Sequence, residues 1–311
     1  MTTFLETLIN GIAVGSLYAL IALGYTMVYG ILKFINFAHS DVFVVGAWMS
    51  LTIATWLGWG SAGVDAPLPP WWGGPLVLLG AMFTCALLGF IIERFAYKPL
   101  RSAPRLNVLI TAIGVSLLLQ NVGQLKWFFG PSPKRMPSMM PDLVLFDVAG
   151  VPVRLVDVIG VGTALALMLA LEWLVFRTRL GRAMRAVSFS PSTAALMGVP
   201  VDRVISITFC IGSALAAAAG FLYALKYPGI NQPAYTVWVL LGLKAFVAAV
   251  VGGIGNVRGA MLGGISIGLI EFIGVTYIAV NYRDVYVFSI LILVLLLRPS
   301  GILGRAVVEK V

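Results

Sequence analysis

Apolar residues fill long, nearly unbroken runs of this chain, and its polar residues gather in short clusters between them. Runs near or above the roughly 18–20 residues that cross a bilayer recur along almost the whole length. They predict spans at about 8–31, 41–58, 75–95, 106–129, 157–176, 204–225, 236–253, 260–280 and 285–297. A run such as Val161–Phe176 is apolar on every face, which reads as helix in lipid; a barrel strand would alternate. The last run is short for a vertical crossing and 236–253 is interrupted by glycine, so either could be a half-helix. The expected fold is all-α: one polytopic transmembrane domain over residues 1–311 with eight or nine helices.

Composition agrees with that pattern. Of 311 residues, 60% are hydrophobic and only 11% charged, with mean hydropathy +1.00, outside the range of soluble domains. The net charge of +9 does not point to nucleic acid, because the positive residues sit in short clusters beside apolar spans. Glu6 precedes any Lys or Arg, the first being Lys33, so the positive region of a cleavable signal peptide is absent and the first span is expected to be retained. Cys85 and Cys210 lie inside apolar runs, as core residues rather than a disulfide framework or a metal cluster.

The basic clusters set an orientation. Arg94, Lys98, Arg101 and Arg105 follow the third span, Arg177, Arg179, Arg182, Arg185 and Arg203 surround residues 181–204, and Arg298, Arg305 and Lys310 end the chain. All three are expected in the cytoplasm. The loop 59–74 holds one acid, no base and interfacial tryptophans, and 130–156 is nearly balanced in charge; both are expected outside. With nine crossings the N-terminus is outside and the C-terminus inside.

The chemistry of enzymes is missing from the sequence. It has a single histidine, His39, no Cys-x-x-Cys and no Gly-Lys dipeptide, hence no phosphate-binding loop. Neither a catalytic residue nor a metal site is expected, and nucleotide-driven work would need a separate ATPase chain. Lys244 in VWVLLGLKAFVAAVVGG and Glu271 in GISIGLIEFIGV are each flanked by enough apolar sequence to lie at depth in a span. At depth such a group costs several kcal/mol unless paired or neutral. A Lys244–Glu271 pair, or a snorkelling lysine beside a protonated or hydrogen-bonded glutamate, would each satisfy them. Glycines 242, 252, 253, 255, 259, 263, 264 and 268 crowd one region, and Gly24, Gly30, Asn36, His39, Ser40 and Asp41 interrupt the apolar pattern near the start. Interruptions in both halves of a transporter point to a substrate path, with Asn36, His39, Ser40, Gly252, Gly253 and Gly255 its candidates; close glycine packing is the alternative.

Within the cytoplasmic loop of about 178–203, Ser190 or Ser192 is placed to cap a short helix, Pro191 suits its first turn, and Ala194, Ala195, Leu196 and Met197 precede the stop at Gly198. So short a helix is marginal in water alone. A partner surface, or anionic membrane lipid beneath the basic strip, would supply what it lacks.

The stretches NGIAVGSLYALIALGYTMVYGI, INFAHSD, TAIGVSLLLQN, GRAMRAVSFSPSTAALMGVPVDRVISITFCIGSALAAAAG, GLKAFVAAVVGGIGNVRGAMLGG and LRPSGILG closely resemble, end to end, the LivH-type permease of branched-chain amino-acid ABC importers. The resemblance implies a bacterial inner-membrane subunit built from inverted repeats with broken helices. It would pair with a LivM-type second permease, two cytoplasmic ATPases that carry the ATP and Mg, and a periplasmic substrate-binding protein. It further implies that Pro191, Ser192, Ala194, Ala195, Leu196, Met197 and Gly198 form a coupling helix docked in an ATPase groove, with both alanines exposed. Ser40–Asp41 stands where the family commonly has a small residue and Glu, and Ser188–Phe189–Ser190 where acidic or amide residues are common. Relatives that carry urea or amides leave the cargo open. A stand-alone transporter coupling protons through Glu271 or His39 is the competing class, and it has no need of a docking helix.

Overall fold

The structure is a computed structural model that describes residues 2–59, 68–101 and 103–304. Residues 60–67 of the loop 59–74, Ser102, Arg305, Lys310 and the side chain of Arg105 lie outside the described residues. The chain is a helical membrane protein. Its α-helices are α1 (Thr2–Leu32), α2 (His39–Trp56), α3 (Gly73–Ile92), α4 (Arg105–Gly123), α5 (Leu155–Arg177), α6 (Arg179–Phe189), α7 (Pro191–Leu196), α8 (Val201–Lys226), α9 (Thr236–Gly252), α10 (Val257–Tyr277) and α11 (Arg283–Leu297). Among the described residues, seven helical segments, those built on α1, α3, α4, α5, α8, α10 and α11, are long and apolar enough to cross a membrane, while α2 and α9 are shorter or more polar.

The helices fall into two halves that run in opposite directions. In the first, α1 leads through a break at 33–38 into α2, α3 and α4; in the second, α8 leads through 227–235 into α9, α10 and α11. Each break carries an Ile-Asn pair, Ile35–Asn36 and Ile230–Asn231. The first helix of each half packs against the third of the other, α1 on α10 and α8 on α3, and α2 crosses α9 between them. This exchange makes α1 and α8 the most buried spans; α4, α5 and α11 ring them with exposed apolar faces.

Glycine spacing explains the tightest of these contacts. Gly11 and Gly15 on α1 face Gly268 and Gly264 on α10, each pair four residues apart, so two helix backbones meet without side chains between them. A Cβ at Gly15 would lie 2.9 Å from the Ile265 Cα, and one at Gly264 would overlap the Ala19 backbone. On the other side of the bundle, Gly46 meets Ala217 and Gly220 meets the backbone of Phe43, joining α2 to α8.

Several elements depart from the expected pattern. The fourth span stops at Gly123, and the rest of its apolar run turns so that Phe129 stacks on Trp48 at 5.3 Å between ring centroids. The segment 130–156 contains a hairpin of β2 (Val144–Val148) and β3 (Val151–Arg154), while β1 (Lys134–Arg135) pairs with β4 (Gly229–Ile230). The hairpin turns on Ala149 and Gly150, both at positive φ (53° and 85°), with the Gly150 amide donating to Asp147 Oδ1 at 2.6 Å. Beyond Ile92, α3 continues as a π turn over Glu93–Tyr97 and a 3-10 turn over Lys98–Leu100. The basic loop before α7 is itself an amphipathic helix, α6, with Gly181, Met184 and Val187 inward and Arg182 and Arg185 outward.

Candidate functional site

The two ends of the bundle differ chemically. One gathers the C-terminal ends of α1, α3, α5, α9 and α11, together with α6 and α7, and holds Arg94, Lys98, Arg101, Arg177, Arg179, Arg182, Arg185, Arg203 and Arg298. The far end carries the β-hairpin and the strongly exposed Trp71 and Trp127, aromatics of the kind that sit at membrane–water interfaces.

On the basic end α7 stands out from the bundle. The Ser190 hydroxyl accepts from the Thr193 amide at 3.3 Å, which caps the helix; Pro191 occupies its first turn and Gly198, at φ 79°, stops it. Leu196 and Met197 are 87% and 80% exposed, and Phe189, just before the cap, is 94% exposed. Pro191, Ser192 and Ala195 also face outward. Ala194 does not: it is buried, because the Val199 amide folds back onto its carbonyl at 3.0 Å and turns this face toward α6 and α8. Of the two alanines expected on the outer surface, one is therefore part of the packing. Phe189 is the apolar contact the sequence reading missed; it sits at the polar-looking end of a basic helix, where only the helical period of α6 reveals that it projects outward.

At the first break, Asn36, His39 and Ser40 are all buried. Asn36 Oδ1 accepts from the Ala38 amide (3.1 Å) and from the Tyr97 hydroxyl (2.5 Å). His39 lies edge-on to Tyr25 with ring centroids 4.8 Å apart, in space that exists because Gly24 lacks a Cβ; its Nε2 has no hydrogen-bond partner among the described residues. Ser40 caps locally onto the Phe37 carbonyl at 3.1 Å and packs its Cβ on Gly242 of α9. Asp41 receives Gln120 Nε2 at 2.9 Å.

Gly252 and Gly253, unlike Gly242, lie apart from this cluster. Gly252 packs on the Gly259 carbonyl where α9 turns into α10, and Gly253, at φ 107°, lies against the backbone of Gly301 and Gly304. The segment after α11 is clasped there through the Ile302 and Leu303 amides, which donate to Val251 O (2.8 Å) and Gly252 O (3.1 Å). Gly255, at φ 92°, approaches the Gly30 Cα of α1; with Gly242 against Ser40, it joins the two glycine-rich regions.

Lys244 and Glu271 face each other, Nζ to Oε1 2.9 Å, inside a larger cluster. Glu271 is fully buried; it accepts from the Tyr18 hydroxyl at 2.8 Å and from the Arg283 guanidinium, while Lys244 also reaches Asp284 Oδ1 at 2.6 Å. Each charge thus has an opposite partner, the condition under which ionised groups persist away from water.

Comparison with known proteins places this architecture. Residues 7–297 match the family described as the permease component of branched-chain amino acid transport systems. The chain is 41% identical to the high-affinity branched-chain amino acid transport system permease protein BraD of Pseudomonas aeruginosa, over 99% of this chain and 98% of the relative. It is 42% identical, with the same coverage, to the permease protein LivH of Escherichia coli strain K12, and 27% identical to a probable LivH of Methanocaldococcus jannaschii over 95% of this chain and 91% of the relative. The protein is a transport permease. It belongs to the family of branched-chain amino acid permease components.

Proposed function

We propose that this chain is one of two membrane subunits of an ATP-driven importer that moves branched-chain amino acids from the periplasm to the cytoplasm of a bacterium. It would pair with a LivM-type permease, receive substrate from a periplasmic binding protein, and be driven by two cytoplasmic ATPases that hold the ATP and Mg. The observation that carries the reading is α7, a capped short helix presenting Ala195, Leu196, Met197 and Phe189 on the basic end. So much apolar surface on so small an element calls for a groove to cover it. The positive residues of that end support a cytoplasmic location, an N-terminus in the periplasm and nine crossings of the inner membrane. The family and its relatives BraD and LivH, named as branched-chain amino acid permeases, support the cargo.

The test is reconstitution. Proteoliposomes holding this chain, its partner permease and the ATPases should accumulate radiolabelled leucine when ATP and the binding protein are supplied. Uptake that proceeds without the ATPases, or that follows a proton gradient instead, would contradict the proposal.

A further inference from the structure

Two straps tie the coupling segment to the break between α1 and α2. At its near side, the Ser188 hydroxyl at the end of α6 donates to the Gly30 carbonyl in the last turns of α1 (2.6 Å). At its far side, the first turns of α8 reach the π turn. Asp202 takes Lys98 Nζ at 2.6 Å and Arg101 Nη1 at 2.5 Å; Arg101 also pairs with Glu93, and the Ser206 hydroxyl donates to Glu93 Oε2 at 2.6 Å. Glu93 is fully buried, so its carboxylate is bound rather than solvated. From the other end of the same turn, Tyr97 is wedged between Phe34 and Phe209 (ring centroids 5.3 and 5.4 Å) and donates to Asn36 Oδ1 at 2.5 Å.

Resting on the ATPase-coupled reading above, we infer that the π turn Glu93–Tyr97 is the transmission element that carries displacement of α7 to the α1–α2 break, with Glu93 its input and the Tyr97–Asn36 hydrogen bond its output. A π turn suits this part. Its i→i+5 bonding makes it a localised irregularity at the end of an otherwise regular helix, a feature that recurs at functional sites. The connection from α7 is short, since Val199 and Pro200 alone separate Gly198 from α8, and the ion pairs at Asp202 lie in the first turn of that helix. Any rotation of α7 that turns the start of α8 must stretch Asp202 and Ser206 against Lys98, Arg101 and Glu93. The buried aromatic sandwich leaves Tyr97 little freedom to absorb the motion, so it passes to Asn36. Glu93 and Tyr97 are positioning residues: neither needs to touch substrate.

The test uses the complete reconstituted transporter and reads substrate moved per ATP hydrolysed. Tyr97→Phe keeps the ring and removes only the output hydrogen bond. It should leave ATPase association and binding-protein-stimulated hydrolysis at wild-type rates while leucine moved per ATP falls about fivefold, the weight of one ordinary hydrogen bond. Asn36→Ala also removes the acceptor of the Ala38 amide, so it should lower the ratio at least as much, and the double variant should be no worse than Asn36→Ala alone, since the Tyr97 link is already lost there. Asp202→Asn, at a position whose side chain is 57% exposed, should lower the same ratio from the input side. An unchanged ratio in Tyr97→Phe and Asp202→Asn, or losses that simply add in the double variant, would overturn the relay. A wild-type complex that shows no ATP-dependent uptake would instead overturn the reading beneath it.

Discussion

Glu93 and Glu271 occupy matching places in the two halves of the bundle. Glu93 directly follows the third helix of the first half and Glu271 lies on the third helix of the second; each is fully buried, and each accepts a hydroxyl from the leading helix of the opposite half, Ser206 or Tyr18. A guanidinium further along the chain completes both, Arg101 for Glu93 and Arg283, at the start of α11, for Glu271. Because the halves are inverted, one carboxylate lies toward the basic end and the other toward the far end. The arrangement clamps α3 to α8 and α10 to α1, the two contacts on which the fold is built.

The Glu271 cluster should behave as a coupled unit. Glu271→Gln keeps the size and part of the hydrogen bonding but leaves Arg283 and half of the Lys244 charge without a partner, lowering stability by about 1–3 kcal/mol. Adding Lys244→Met removes one stranded charge, so the double variant should lose less than the sum of the single losses. Thermal unfolding of the purified permease in detergent checks this; strict additivity would show that the two side chains act independently.

Glycine substitutions should separate packing from propensity. Gly15→Ala places a methyl against the α10 backbone and should cost about 1–3 kcal/mol, because a backbone cannot rotate out of the way. Gly114→Ala, in α4 with nothing within 4 Å of its Cβ, should be neutral or stabilising by up to about 1 kcal/mol through helix propensity. Melting temperatures of the two variants, measured side by side, should move in opposite directions or differ clearly in size. Equal shifts would contradict the glycine seam between α1 and α10.

Orientation is open to cysteine labelling in a background lacking Cys85 and Cys210. Ser138→Cys, exposed at the far end, should react with an impermeant maleimide in intact spheroplasts. Ser192→Cys, on α7 at the basic end, should react only after the membrane is opened, in cells that make the permease without its ATPases. The reverse pattern would invert the topology.

Much of this architecture is legible in the sequence because lipid imposes one rule on long segments: satisfy every backbone group internally. The runs that form α1, α3, α5, α8 and α10 announce themselves, and Ser190, Pro191 and Gly198 mark α7 through backbone preferences that need no tertiary context. What the sequence hides depends on partners far away in the chain. Glu93, inside IIERFAYKPLR, looks like a charge at a membrane boundary, and nothing local says that Ser206 and Arg101 bury it. The burial of Ala194 is equally invisible, since it follows from how α7 leans on α6 and α8. The hairpin at 144–154 had a readable signal in the Ala149-Gly150 turn between alternating residues, but a chain so dominated by helix draws attention away from it.

The central claim is that α7 engages an ATPase, and Ala195→Trp tests it most directly. Ala195 is exposed on α7, so the bundle has no reason to respond, whereas a tryptophan in a close-packed groove should cost about 1–3 kcal/mol at that contact. The variant should insert, co-purify with its partner permease and bind ATPase measurably less well than wild type, with ATP-driven leucine uptake reduced to match. If α7 merely rests on lipid, tryptophan is at home there. ATPase co-purification and uptake both at wild-type levels would contradict the coupling role.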